Sequence, residues 1–281
     1  MKYLIVNADD FGLTKGINQG IIKAFKKGIV SSASIMPVGK AYNDALRLIK
    51  ENPEFDVGVH LCLTDEVPIL PKEEISTLLD HQSNTFKSKK KFFLDYFLGK
   101  INIYEIEKEL ETQIKKVLDS KIDITHIDSH NYIHMLPKVL NVVIKLMKRY
   151  KIHFLRYPNE KIKYIRVSLR YLSCFILKSL CLLKRDIFYK LKLNGPDEFI
   201  GFIDSGHLSK HRLIQIIKRI NNGITELVCH PAILDSETLQ YKKWNYNWQE
   251  ELDAFLSYEV ENLINKFNIR IINFKYLYDL K

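Results

Sequence analysis

The chain has 281 residues, 46% of them hydrophobic and 27% charged, which supplies a full core and excludes a disordered or fibrous polymer. That length suits one α/β barrel of roughly 250 residues as well as two smaller domains, and no internal repeat or low-complexity linker divides it. Forty-three Lys+Arg against 33 Asp+Glu leave a formal charge of +10. The basic residues are mostly scattered singly, apart from short clusters such as Lys87, Lys89, Lys90 and Lys91. No helix-turn-helix, RNP or zinc-finger pattern accompanies them, so no nucleic-acid partner is expected.

Short β-rich apolar runs alternate with amphipathic stretches from end to end, the pattern of βα units around a parallel sheet. The first run, Tyr3–Val6, is followed by a helical pattern over Lys15–Lys27, with Thr14 as N-cap and Gly28 as a left-handed stop. Strands are then expected at Val30–Met36, Val57–Leu63, Ile124–Ile127, His153–Leu155, Phe199–Ile203, Glu226–Cys229 and Arg270–Asn273. The intervening helices are expected at Tyr42–Glu51, Ile103–Leu118, Pro137–Tyr150, Ser209–Asn221 and Trp248–Lys266. Seven or eight such strands favour a closed or nearly closed barrel, with 1–281 as a single domain.

Two segments break the rhythm. Residues 68–100 are polar and lysine-rich and end in Phe86, Phe92, Phe93, Tyr96 and Phe97, the composition of a lid or a dimer contact. In 161–193, Ile162, Ile165, Leu169, Leu172, Ile176, Leu180, Leu183 and Ile187 recur at helical spacing with Arg and Lys between them. This basic amphipathic pattern suits outer-ring packing, a homodimer contact or peripheral docking on an anionic membrane. Cys62, Cys174, Cys181 and Cys229 contain no CxxC pair, which excludes a disulfide scaffold and a zinc ribbon and points to a reduced, cytoplasmic setting. The first apolar run is too short for a secretory segment, and no stretch approaches the ~18 apolar residues of a membrane span.

Ionisable and imidazole side chains cluster just past the strand runs, on the face where parallel barrels build active sites. Asp9 and Asp10 follow the first strand, His60 ends the third, Asp128 and His130 follow the fourth, and His230 follows Cys229. Together with His126 and His134, the Thr125–His134 stretch has the density of a metal site.

These residues resemble the YdjC-like carbohydrate deacetylases, a family that includes chitooligosaccharide and hopanoid-biosynthesis deacetylases. The resemblance rests on NADDFG at Asn7–Gly12, GVHLCL at Gly58–Leu63, THIDSHNYIHMLP at Thr125–Pro137, LRYPNE at Leu155–Glu160, GFIDSGH at Gly201–His207 and CHPA at Cys229–Ala232. It implies a distorted TIM-like (β/α) barrel that hydrolyses the N-acetyl group of an N-acetylglucosamine-type sugar with one divalent metal, Mg or Zn, or else Mn or Co. By the resemblance, Asp10, His60 and His130 are the metal ligands, Asp9 the general base and His230 the acid. Such a His₂Asp set leaves positions open for water and substrate.

His126 and Asp128 are expected behind the ligands, orienting His130 or His60. Arg156 suits a sugar hydroxyl, an oxyanion or a structural salt bridge, and His207 suits a sugar contact or the cap of the helix near Ser209. Tyr132 stands where the family pattern DSHxHxH commonly has a histidine, so Tyr132 and His134, expected either behind the ligands or in contact with substrate, are where this chain's substrate range is expected to be its own. Two rival readings are a catalytically silent sugar-binding barrel, which binds metal without turnover, and a metal-dependent phosphodiesterase.

Overall fold

Val, Ile and Leu at consecutive positions produce strands buried on both faces, and the amphipathic stretches between them fold as helices that cover the sheet. The computed structural model describes residues 1–80, 82–162, 168–193 and 195–279. In chain order the elements are β1 (Lys2–Phe11), α1 (Lys15–Lys27), β2 (Ser32–Ile35), α2 (Tyr42–Lys50), β3 (Asp56–Leu61), α3 (Lys89–Phe97), α4 (Ile103–Asp119), β4 (His126–Ser129) and α5 (Pro137–Tyr150). They continue with β5 (Phe154–Leu155), α6 (Leu169–Leu191), β6 (Glu198–Ile200), α7 (Lys210–Ile217), β7 (Gly223–Cys229), α8 (Trp248–Phe255), α9 (Tyr258–Lys266), β8 (Ile269–Ile272) and α10 (Phe274–Asp279).

All the ladders between these strands are parallel, in the order β5-β4-β3-β2-β1-β7-β6. β8 pairs with the first half of β1, on the side that β2 takes over further along the strand. Among the described residues no ladder joins β5 to β6, where Leu155 N donates instead to the Leu193 carbonyl at 3.1 Å. The result is the expected distorted (β/α) barrel, interrupted at one seam.

Several boundaries differ from the sequence expectation for identifiable reasons. Thr14 caps α1 by accepting from Ile17 N, but Gly28 is extended (φ −137°) rather than left-handed. Glycine is needed there because a Cβ would lie 2.3 Å from the Phe255 carbonyl oxygen. That carbonyl accepts from Ile29 N, so the single helix expected over Trp248–Lys266 breaks between α8 and α9. Helix α7 starts from Ser209, whose hydroxyl accepts from Arg212 N, so His207 is not its cap.

The 68–100 segment is packed more than its composition suggests. Ile75, Leu78, Leu79, Phe86 and Phe92 join the main core, and Lys87 pairs with Asp95 at 2.9 Å. In α6 the buried face is Cys174, Leu177, Cys181 and Phe188. Of the leucine and isoleucine stripe read from the sequence, Leu169, Leu172, Ile176 and Leu183 point outward, Leu180 is half-buried, Ile187 packs against the core, and Ile165 lies outside the described residues.

Candidate active site

Strand alternation builds the centre of the barrel. Asn7 and Asp9 of β1, Ser34 of β2, His60 of β3, His126 and Asp128 of β4 and Glu226 of β7 form one connected, buried set. Gly58 belongs to it too: the His126 ring lies 2.4 Å from where its Cβ would be, so only glycine admits the imidazole. Arg156, its side chain fully buried, ties the set together. Its Nη1 and Nη2 donate to the two carboxylate oxygens of Asp9 at 2.8 Å each, Nη2 also reaches Asp128 Oδ2 at 2.6 Å, and Nε donates to Glu226 Oε1 at 2.7 Å. The guanidinium thus makes the ion pairs of the salt-bridge alternative, and its donors are directed at protein carboxylates.

Asp10 breaks the alternation. β1 runs through both aspartates to Phe11, its register shifts between Ala8 and Phe11, and Asp10 has φ +65°. A left-handed non-glycine residue costs on the order of 1 kcal/mol, and this one turns the carboxylate back toward the site. Asp10 Oδ1 lies 3.4 Å from His60 Nε2 and 3.1 Å from His130 Nδ1, so one carboxylate and two imidazole nitrogens converge. His60 is oriented by Asp128, whose Oδ1 accepts from Nδ1 at 2.7 Å and leaves Nε2 to face Asp10. His130 precedes two left-handed residues, Asn131 (φ 58°) and Tyr132 (φ 55°), and its ring lies against Trp244 with centroids 5.0 Å apart.

The electrostatics favour a cation. Asp9, Asp10, Asp128 and Glu226 are buried together with a single guanidinium. Burial alone would push the His60 imidazole down, but the charges of Asp128 and Asp9 and hydrogen bonding to Asp10 and Asp128 push it up to about 10. Asp10 lies well below the usual carboxylate range: burial opposes ionisation, and His130 and His60 outweigh it. Glu226 moves to about 7, raised by burial despite Arg156. Asp10, His60 and His130 place one donor atom each within 4.8 Å of the others, as do Asp9, His60 and Asp128. The first trio fits a divalent ion better, because Arg156 already holds Asp9 and Asp128.

The remaining expected residues fall into three groups. Asp9, His60, His130, Tyr132 and His230 border one cleft of about 200 Å³, with Lys89, Leu169, Arg170, Ser173, Phe202, Ser205 and Tyr246 around it. His126 and His134 are buried away from it. His126 bonds Ser34 and Thr125 and stacks on Phe274 at 3.9 Å, so it does not orient His60 or His130 directly. His134 bonds the Ser129 hydroxyl and the Arg156 carbonyl and so fixes the backbone that carries the guanidinium. Burial lowers His126 to about 3 and His134 to about 4, keeping both neutral. His207 does not line the cleft.

Glu226 and Glu251 were not singled out by the sequence reading. Glu251 accepts from the backbone N–H of His230 at 2.6 Å, and its carboxylate lies 3.9 Å from His230 Nδ1, a buried nitrogen with no hydrogen-bond partner. The available signal was an acid inside an apolar run for Glu226. For Glu251 there was none, since WQEELDAF reads as an ordinary helix start.

The family described as YdjC-like protein matches residues 3–266. A carbohydrate deacetylase of Clostridium beijerinckii is 33% identical over 275 residues, spanning 97% of this chain and 98% of its own. A carbohydrate deacetylase of Thermoanaerobacter pseudethanolicus is 31% identical over 277 residues, 99% of this chain and 100% of its own. The crystal structure of an Enterococcus faecalis V583 protein, provisionally described as a cellobiose-phosphate cleavage protein, is similar with a TM-score of 0.77 and 29% identity over 98% of both chains. With its site motifs gathered at one end of the barrel and full-length relatives above 30% identity, the chain belongs to the YdjC-like family.

Proposed function

We propose that the protein is a deacetylase that hydrolyses the acetamido bond of an N-acetylglucosamine-type sugar with one divalent ion held by Asp10, His60 and His130. The convergence of Asp10 with His60 and His130, which line one cleft together with Asp9 and His230, carries the reading, and relatives named carbohydrate deacetylases agree with it. Zn and Mg suit the donor set, as do Mn and Co. The buried free cysteines agree with a reduced cytoplasmic setting, and no helix among the described residues is long and apolar enough to cross a membrane. The 68–100 segment shapes the cleft through Lys89.

A bound divalent ion would acidify water and polarise the acetyl carbonyl. Asp9, held by both Arg156 nitrogens and by Asn7, is positioned to take the proton of the attacking water. The Arg156 fork fixes that carboxylate in orientation, and Glu226 and Asp128 fix the fork. His230, with Nδ1 unpaired inside the protein and Glu251 beside it, is positioned to protonate the departing amine. Tyr132, packed against Phe202 and Phe199, presents an aromatic wall to the sugar where a histidine is common in the family.

The test is acetate release from diacetylchitobiose after chelator stripping, with Zn, Mn, Co or Mg added back singly, beside His130→Ala. Release that needs metal and is lost in the variant supports the reading. Metal binding without release on soluble and lipid-linked acetylated sugars alike would overturn it in favour of a silent sugar-binding barrel.

A further inference from the structure

We propose that α6 docks the protein on an anionic phospholipid bilayer and holds the mouth of the cleft against the lipid surface. Helix α6 is 23 residues long, about 35 Å at 1.5 Å per residue. One side is anchored: Cys174, Leu177, Cys181 and Phe188 are buried, Tyr157 packs against Phe188, and the Tyr157 hydroxyl donates to the Cys181 carbonyl at 2.8 Å. The other side carries Leu169 (83% exposed), Leu172 (56%), Phe175 (62%), Ile176 (51%), Leu182 (54%) and Leu183 (76%). No other helix among the described residues exposes as many large apolar side chains.

Charge selects the occupant. Arg170, Lys178, Lys184, Arg185 and Lys190 accompany those leucines on α6 against one acid, Asp186. A second copy meeting this face would set basic helix against basic helix in a chain of net charge +10. An anionic bilayer accepts the apolar side chains and neutralises the lysines and arginines together, the arrangement of interfacial amphipathic helices. The helix is too charged to span the bilayer and so lies along it.

Position links this surface to the site. Leu169, Arg170 and Ser173, the first turns of α6, line the cleft that holds Asp9, His60, His130 and His230. Docking along α6 therefore brings the cleft to the lipid headgroups, and on the deacetylase reading above the substrate class becomes an N-acetylated amino sugar carried on a lipid.

The experiment is co-sedimentation of the full chain with vesicles of phosphatidylcholine alone or mixed equally with phosphatidylglycerol, at about 0.05 M and about 0.5 M salt. Binding only to the anionic vesicles, weakened by salt, is expected. Lys184→Glu with Arg185→Glu should reduce partitioning at least about 25-fold, from about fivefold per basic residue near the surface. Leu172→Asp with Leu183→Asp should abolish it. Both variants should keep wild-type circular dichroism, melting temperature and activity on soluble diacetylchitobiose, because none of the four residues lines the cleft. Equal sedimentation with and without anionic lipid would overturn the proposal. So would a dimer in vesicle-free solution that the double aspartate variant splits, since a second copy would then cover the face. Vesicle binding and acetate release are separate readouts, so failure of the deacetylase reading leaves the docking result interpretable.

Discussion

Inside the barrel, Asn7, Asp9, Ser34, His60, Asp128, Arg156 and Glu226 are buried where a barrel of this size would ordinarily hold aliphatic side chains; along the outer side of α6, leucines face solvent where lysines and glutamates would ordinarily stand. The two regions reverse the usual distribution in opposite senses, and they differ in how the reversal is compensated. Most of the interior hydrogen-bonding capacity is paired within the chain, three carboxylates on one guanidinium and the ring nitrogens of His126 and His134 on hydroxyls and a carbonyl. The α6 face has no counterpart among the described residues, so its free energy is available only to another surface. Substitutions in the first region should therefore cost chemistry or stability, whereas substitutions in the second should leave the isolated protein nearly unchanged.

The largest expected effect is on turnover. Asp10→Ala removes the carboxylate on which both imidazoles converge and should lower acetate release at least about a thousandfold while abolishing tight metal binding, as titration calorimetry would register. Asp9→Asn should lower turnover about 10²- to 10⁴-fold with metal affinity retained, and full turnover in that variant would remove Asp9 from the proton-transfer role. Next is stability: Arg156→Met leaves Asp9, Asp128 and Glu226 buried without their counter-ion and should cost about 3–5 kcal/mol in urea unfolding.

A smaller effect is expected from pH. Burial holds His134 at about 4 and His126 at about 3, whereas each titrates near 6.5 when exposed in the unfolded chain. Between those values only the unfolded chain takes up the proton, so these contributions are complete above pH 6.5 and are lost as pH falls toward 4 and 3. At pH 5 the loss is about 2 kcal/mol for each histidine, opposed by Glu226 and Glu160, which burial raises to about 7, so His134→Gln should shift the pH 7 to pH 5 change in unfolding free energy by about 2 kcal/mol in favour of pH 5 relative to the wild type. The smallest effect belongs to α6: Leu183→Asp should change unfolding free energy by less than about 0.5 kcal/mol, and a substantial loss would mean that the chain itself covers this face.

Much of this was legible in the sequence because the signals were local. The bounds of α1 and α5 follow from periodicity, with Thr14 capping the start of α1, and Asp9, Asp10, His60, His130 and His230 stood out as polar residues at the ends of apolar runs. The rest depends on distance or on backbone geometry. Nothing local reveals that Arg156 reaches Asp9, 147 positions away in sequence, or that Ser34 bridges Asp128 and His126. The left-handed turn at Asp10 is invisible because aspartate is common in extended strand ends, and the break between α8 and α9 comes from a carbonyl drawn to Ile29 of another unit. For α6 the helix was readable and its buried side was not. Cysteines and a phenylalanine face inward while a cleaner leucine stripe faces out, a choice made by the neighbouring surface rather than by the helix.

The central claim concerns which of two overlapping trios holds the ion, since His60 belongs to both. Diffraction from crystals grown with Mn(II), recorded near the manganese absorption edge, tests it directly. The account predicts one anomalous peak bonded to Asp10, to His60 through Nε2 and to His130, with Asp9 still held by Arg156. A peak on the Nδ1 side of His60, bound by Asp9 and Asp128, or no peak under conditions that support turnover, would contradict it.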